Sequence, residues 1–127
     1  MKVSDHWIRS PLTNINNPCQ TRHKIPEADL VERIRTIQVR TREMIHLAEV
    51  AISDAIDAIV ASRDAGASVA DLEEARRRHR VAQLRWDFID AENSMGFHSP
   101  QEAARILAHA VDLARQAQMA ALAIQLP

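Results

Sequence analysis

Apolar residues recur at Leu30, Ile34, Ile37, Met44, Ile45, Ala48, Ile52, Ala55, Ile56 and Ile59, at spacings of three, four and seven. This is the stripe of an amphipathic helix with near-heptad character. It predicts a helix over residues 27–65, opened by Pro26 and carrying Glu27 and Asp29 in a first turn where acidic groups suit the helix dipole. At about 1.5 Å per residue such a helix spans about 55–60 Å. A small one-chain bundle needs less, so part of it is expected to pack on another chain or domain. Gly66 ends this helix and Ser68 is placed to cap the next. A second helix is predicted over residues 69–93, striped by Val69, Leu72, Ala75, Val81 or Ala82, Leu84 or Arg85, Phe88 and Ile89. The third has the sharpest start: Ser99-Pro100-Gln101-Glu102 is a capping box with proline at the first helical position, and the helix runs over residues 100–124. Ala103, Ala110, Ala114, Ala117 and Ala121 permit close helix approach.

Residues 1–26 break the periodicity. Pro11, Pro18 and Pro26 punctuate them, and Asn14, Asn16 and Asn17 favour turns. The predicted fold is all-α: an irregular N-terminal arm, a long antiparallel helical hairpin and a third helix, in a chain of one domain's length.

Composition supports the helical reading. The apolar share is rich in alanine, and there are no tyrosines and only two glycines. The net charge of -1 gives no pull towards nucleic acid or an anionic membrane. The run Arg76-Arg77-Arg78-His79-Arg80 follows Glu73 and Glu74 and reads as a solvated helix face rather than a nucleic-acid site. No apolar run is long enough to span a membrane. The start, Met1 to Trp7, lacks the apolar centre of a signal peptide, so the chain expressed as it stands is expected in the cytoplasm. One cysteine forms no intramolecular disulfide. His46, His79 and His109 lie within predicted helices and carry no assigned role. Trp7 and Trp86 read as core or interface anchors. No catalytic triad, phosphate-binding glycine loop, carboxylate dyad or zinc-spaced Cys/His cluster is present.

The arm concentrates the candidate chemistry. Cys19-Gln20-Thr21-Arg22-His23 is the haem-attachment pattern Cys-x-x-Cys-His with Arg22 in place of the second cysteine. In the intact pattern two thiols add to the porphyrin vinyl groups and the histidine binds iron.

Three stretches in order resemble the C-terminal part of the ammonia-forming cytochrome c nitrite reductases, the pentahaem family. They are Lys2 to Leu12, which holds Asp5-His6-Trp7; Asn17 to Lys24; and Arg85 to Phe88, leading through Ala91 to Pro100, which holds Gly96-Phe97-His98. The resemblance covers essentially the whole chain. It implies haem c as cofactor, with a thioether at Cys19, His23 as the proximal axial ligand of that haem, and His6 and His98 as distal axial ligands of two haems attached further upstream. It also implies a periplasmic setting and a homodimer formed through the long helices, where Ile52 and Ile59 are expected to contribute. The family's catalytic haem and nitrite-binding residues have no counterpart here, so the chain is expected to supply electron-transfer ligation and dimerisation beside an upstream multihaem portion, with no catalytic residue of its own. The competing expectation is a haem-free helical interaction module that has lost its redox role.

Overall fold

A computed structural model of the chain describes Cys19 and residues 23–124. Among these residues the regular structure is three helices: α1 (Glu27–Asp64), α2 (Glu73–Asp90) and α3 (Pro100–Ile124). The all-α fold read from the sequence is the fold found.

The three helices share one heptad register. Ile45 of α1 meets Ile89 and Leu107. Ile52 meets Ala82 and Ala114, and Ile59 meets Ala75 and Ala121. Each helix therefore contributes one core residue every seven positions, the repeat that keeps a seam facing its partners. Because the α1 and α3 numbers rise together while the α2 numbers fall, α1 and α3 run parallel and α2 runs against both. The buried partners taper, with Ile89 and Leu107 beside Ile45 and alanines beside Ile52 and Ile59, where the half-buried Trp86, Val111 and Leu113 fill in around Ile52.

This register corrects two expectations. Ile52 and Ile59 are buried in the chain's own core, not offered to a second copy. On α2 the inward residues are Leu72, Ala75, Ala82 and Ile89, whereas Val69, Leu84 and Phe88 face solvent. The outward apolar stripe of α1 is instead Val39, Leu47 and Val50, at 57%, 62% and 42% exposure.

The Gly66 end follows the sequence closely. Gly66 takes φ +99°, which costs a residue without a Cβ little. Its N–H donates to Arg63 O, and Ala67 N–H donates to Ser62 O, both at 3.0 Å, which is the Schellman arrangement. Beside it, the Ser62 hydroxyl lies 3.0 Å from Ala58 O and 2.8 Å from Ala121 O, tying α1 to α3.

α2 is shorter than the predicted 69–93. A reciprocal capping box forms before it: Asp71 N–H donates to Ser68 Oγ at 3.2 Å, and Ser68 N–H donates to Asp71 Oδ2 at 2.9 Å. The turn so closed delays the regular helix to Glu73. At Ser99 the expected box does not close. Ser99 N–H donates to Gly96 O, while the Glu102 carboxylate turns outward to Arg105.

The N-terminal stretch of α1 projects past α2 and α3. Its inward residues Leu30 and Ile34 are covered by Cys19 and by Phe97 from the α2–α3 loop. The extra helix length thus gives the arm and this loop a common platform.

Candidate functional site

The platform gathers the sequence's candidate chemistry at one end of the bundle. His23 N–H donates to Cys19 O at 2.9 Å. This single bond, from a residue to the fourth after it, closes one turn with Cys19 at its start and His23 at its end. Cys19 is half-buried against Leu30 and Ile34, whereas His23 is exposed. His6 and Arg22 lie outside the described residues.

The second component is the loop over residues 91–99. Phe97 rests on the Leu30–Ile34 pair, and its ring centroid lies 4.2 Å from that of His98, with planes tilted by 41°. The two segments therefore meet through apolar contact: Cys19 and Phe97 share a floor, and His98 stands exposed beside Phe97.

The loop holds its shape through features that sequence reading missed. Met95 and Gly96 both adopt positive φ, 51° and 81°. A Cβ on Gly96 would lie 2.6 Å from Thr41 Oγ1 and 3.2 Å from the Ala103 Cβ, so the loop backbone is wedged between α1 and α3. Glu92 closes the loop from within. Its carboxylate accepts from Ser94 N–H at 2.9 Å, from Gly96 N–H at 3.1 Å and from the Ser94 hydroxyl. Burial pushes the Glu92 carboxyl up, but those bonds and the nearby His98 outweigh it, leaving the group below the usual glutamate range. Gln38 Nε2 donates to Ser94 O at 3.1 Å and pins the loop to α1. The one available signal for this network was the short spacing Glu92-x-Ser94-x-Gly96, which places a carboxylate within reach of the next turn's donors.

The arrangement suits attachment of a planar prosthetic group. A thiol and an imidazole stand at the two ends of one turn, the thiol shares an apolar floor with an aromatic ring, and a second imidazole is exposed beside that ring. The residues present thus fit a haem held through one thioether at Cys19 and ligated by His23. Elsewhere, burial and neighbouring Arg80 push the His79 imidazole down. Arg77 and Arg78 of the basic run both pair with Glu74. An open groove of about 960 Å³ runs along the outer face of α1 past Glu27, Val31, Arg35, Val39 and Glu43. Among the described residues no helix is long and apolar enough to cross a membrane.

Comparison with known proteins gives the family. Residues 1–126 match the cytochrome c552 family. The chain is similar to cytochrome c-552 of Bacteroides fragilis, 38% identical over 120 residues that span 94% of this chain and 24% of that protein. It is similar to cytochrome c-552 of Bacteroides thetaiotaomicron, at 37% over 120 residues with the same shares of both chains. It is also similar to cytochrome c nitrite reductase subunit NrfA of Nitratidesulfovibrio vulgaris, at 33% over 130 residues, 91% of this chain and 25% of that one. The chain spans about a quarter of the length of these relatives.

Proposed function

The chain belongs to the cytochrome c552 family, and on that premise we propose that it supplies electron-transfer haem ligation and a dimer surface to a multihaem cytochrome c nitrite reductase assembly. Cys19 would carry the thioether and His23 the proximal axial bond of one haem c. His98 and His6 would be distal axial ligands of two others. A haem with two imidazole ligands supplies one-electron transfer and leaves no open position for substrate. The chain's own residues hold and orient. The Cys19 turn presents thiol and imidazole together, the Leu30–Ile34 floor keeps water from one side, and the 91–99 loop fixes where His98 stands. Nitrite reduction itself falls to residues of the assembly that this chain does not carry.

The observation that carries this reading is the convergence of Cys19 and the Phe97–His98 pair on Leu30 and Ile34, although the two segments are far apart in sequence. The exposed stripe of Val39, Leu47 and Val50 supports a homodimer through α1, continuous with the open groove past Val31 and Val39. Arg22 favours a second reading. With a guanidinium where the second thiol belongs, the chain would be a haem-free helical module that has kept the interface and lost the redox role.

Expression behind an export leader, alongside c-type cytochrome maturation enzymes, separates the two. A reduced α-band that survives acid–acetone extraction, strengthened by Arg22→Cys and abolished by Cys19→Ala, supports covalent haem. A colourless, folded protein in both the native and Arg22→Cys forms overturns haem ligation and leaves the interaction module.

A further inference from the structure

We propose that Glu92 is a positioning residue for His98, acting through Ser94 to set where the Phe97–His98 pair stands at the Cys19 end of α1. As a statement about haem it rests on the reading of His98 as an axial ligand. As a statement about the loop it stands on the geometry alone.

A glutamate just past the end of a helix ordinarily turns to water. The Glu92 carboxylate instead turns back into its own loop and collects the Ser94 amide, the Gly96 amide and the Ser94 hydroxyl. Those donors converge because Met95 and Gly96 sit at positive φ, which folds the Gly96 N–H towards Glu92. Left-handed backbone at a methionine is costly and persists only where its surroundings hold it. Bonds to a full negative charge are the strong kind, and here they are the hold.

The link to His98 has two steps. The Ser94 hydroxyl donates to Glu92, which leaves its oxygen free to accept, and His98 N–H points to it at 3.5 Å. Ser94 is fully buried, so its hydroxyl has no water to turn to. Gln38 holds the Ser94 carbonyl from α1. Withdrawing the Glu92 charge frees the Ser94 hydroxyl to rotate and releases the Gly96 amide. The loop then keeps its apolar contact through Phe97 but loses the bonds that orient the residue after it. The main chain of His98 is thus set by Glu92 through Ser94, and its ring lies against the tilted ring of Phe97.

Glu92→Gln and Glu92→Asp in the full chain test this. For Glu92→Gln, hydrogen exchange should accelerate by about tenfold or more at the Gly96 amide, which loses a charged acceptor, and should also quicken at the His98 amide, whose acceptor is the Ser94 hydroxyl that Glu92 holds. The His98 ring proton signals should lose the ring-current displacement that Phe97 imposes. Exchange at Ile52 and Ala114 should stay as in the native chain. Glu92→Asp keeps the charge with a shorter reach and should recover part of both signals. Unchanged loop exchange and ring signals in Glu92→Gln would overturn the proposal. Equal acceleration at Ile52 and Ala114 would overturn it too, because Glu92 would then be a general stabiliser. The haem half has a separate readout. In the multihaem assembly, where the haem that His98 would ligate is attached upstream, His98→Ala should remove a low-spin absorption component, and Glu92→Gln should weaken it. A low-spin component indifferent to His98→Ala would overturn the ligand role, and with it the functional half of the proposal, while the exchange result still decides the latch.

Discussion

Gly96 faces Thr41 so closely that a Cβ at residue 96 would sit 2.6 Å from the threonine Oγ1 and 3.0 Å from its Cγ2. The contact joins the His98 loop to the flank of α1, and two separate penalties follow from it. One is steric overlap with a buried side chain. The other is the positive φ of 81°.

Gly96→Ala should therefore destabilise the chain by about 2 kcal/mol or more, since left-handed backbone alone costs an ordinary residue about 1–2 kcal/mol. Adding Thr41→Ala removes both close threonine atoms and should recover only the overlap portion. Urea denaturation of the single and double variants measures the split. Full recovery in the double variant would show that φ contributes nothing here.

Ser62 makes a cross-helix contact of a different kind. Its buried hydroxyl is 2.8 Å from Ala121 O, in a layer where the neighbouring core residues are small. Ser62→Ala should cost about 1–2 kcal/mol by thermal or chemical melting. Ser62→Val adds volume to a seam lined by alanine and should cost more than the alanine variant.

The proposed interface between copies lies on Val39, Leu47 and Val50. Leu47→Glu and Val50→Glu should shift sedimentation towards the monomer and leave the helical circular dichroism unchanged, because both residues are exposed in the single chain. Ile52→Asp should instead unfold it, since its carboxylate would be buried among Ala51, Ala82 and Ala114 without a partner. An Ile52→Asp protein as stable as the parent would contradict the core register.

Acid should loosen the His98 loop before the bundle. The Glu92 carboxyl lies below its ordinary value of 4.5 in the folded chain, despite burial that pushes it up. A depressed folded value stabilises fully above the unfolded one and is lost as pH falls through the folded one. Loop protection, the exchange rate divided into its intrinsic rate at the same pH, should therefore be full at neutral pH and be lost as pH falls below the ordinary glutamate range, and Glu92→Gln should abolish that dependence of protection on pH.

Glu74 offers a contrasting surface case. Its bond to Arg77 is the largest cause, with Arg78 adding to it, and the group titrates at about 2. Since the pair is exposed, added salt should move the midpoint back towards 4.5, with little change in melting temperature.

The long helices were legible because their apolar repeat is the same repeat that builds the core. Ile45, Ile52 and Ile59 are seven apart in sequence and one layer apart in space. Gly66 was legible for a local reason, since a helix end in the left-handed region wants a residue without a Cβ. The capping box expected at Ser99 does not form, and one not foreseen forms at Ser68. Ser68 and Asp71 close the latter, whereas Glu102 prefers the guanidinium of Arg105 one turn on. Val69, Leu84 and Phe88 misled because hydrophobicity alone cannot say which apolar residues of a short helix face inward. Cys19, His23 and His98 stood out as residue types. The meeting of Cys19 and Phe97 on Leu30 and Ile34 did not, because it depends on α1 outrunning its neighbours. Glu92 left only the faint signal of its spacing to Ser94 and Gly96, since two of its three partners are backbone amides, which no residue type announces.

The Schellman turn at Gly66 closes the bundle at the end remote from Cys19 and His98, with nothing within 4 Å of the place where a Cβ would stand. Ile34 and Ala65 are separated by about 45 Å of helix. Under the proposed haem ligation the molecule has its working residues at one pole and only a helix end at the other. Tags, spectroscopic labels or tethering groups introduced around Ala67 should report on the bundle as a rigid rod without touching its chemistry. Variation would accumulate most freely there, while the opposite pole is held by a wedged glycine and an inward-facing carboxylate.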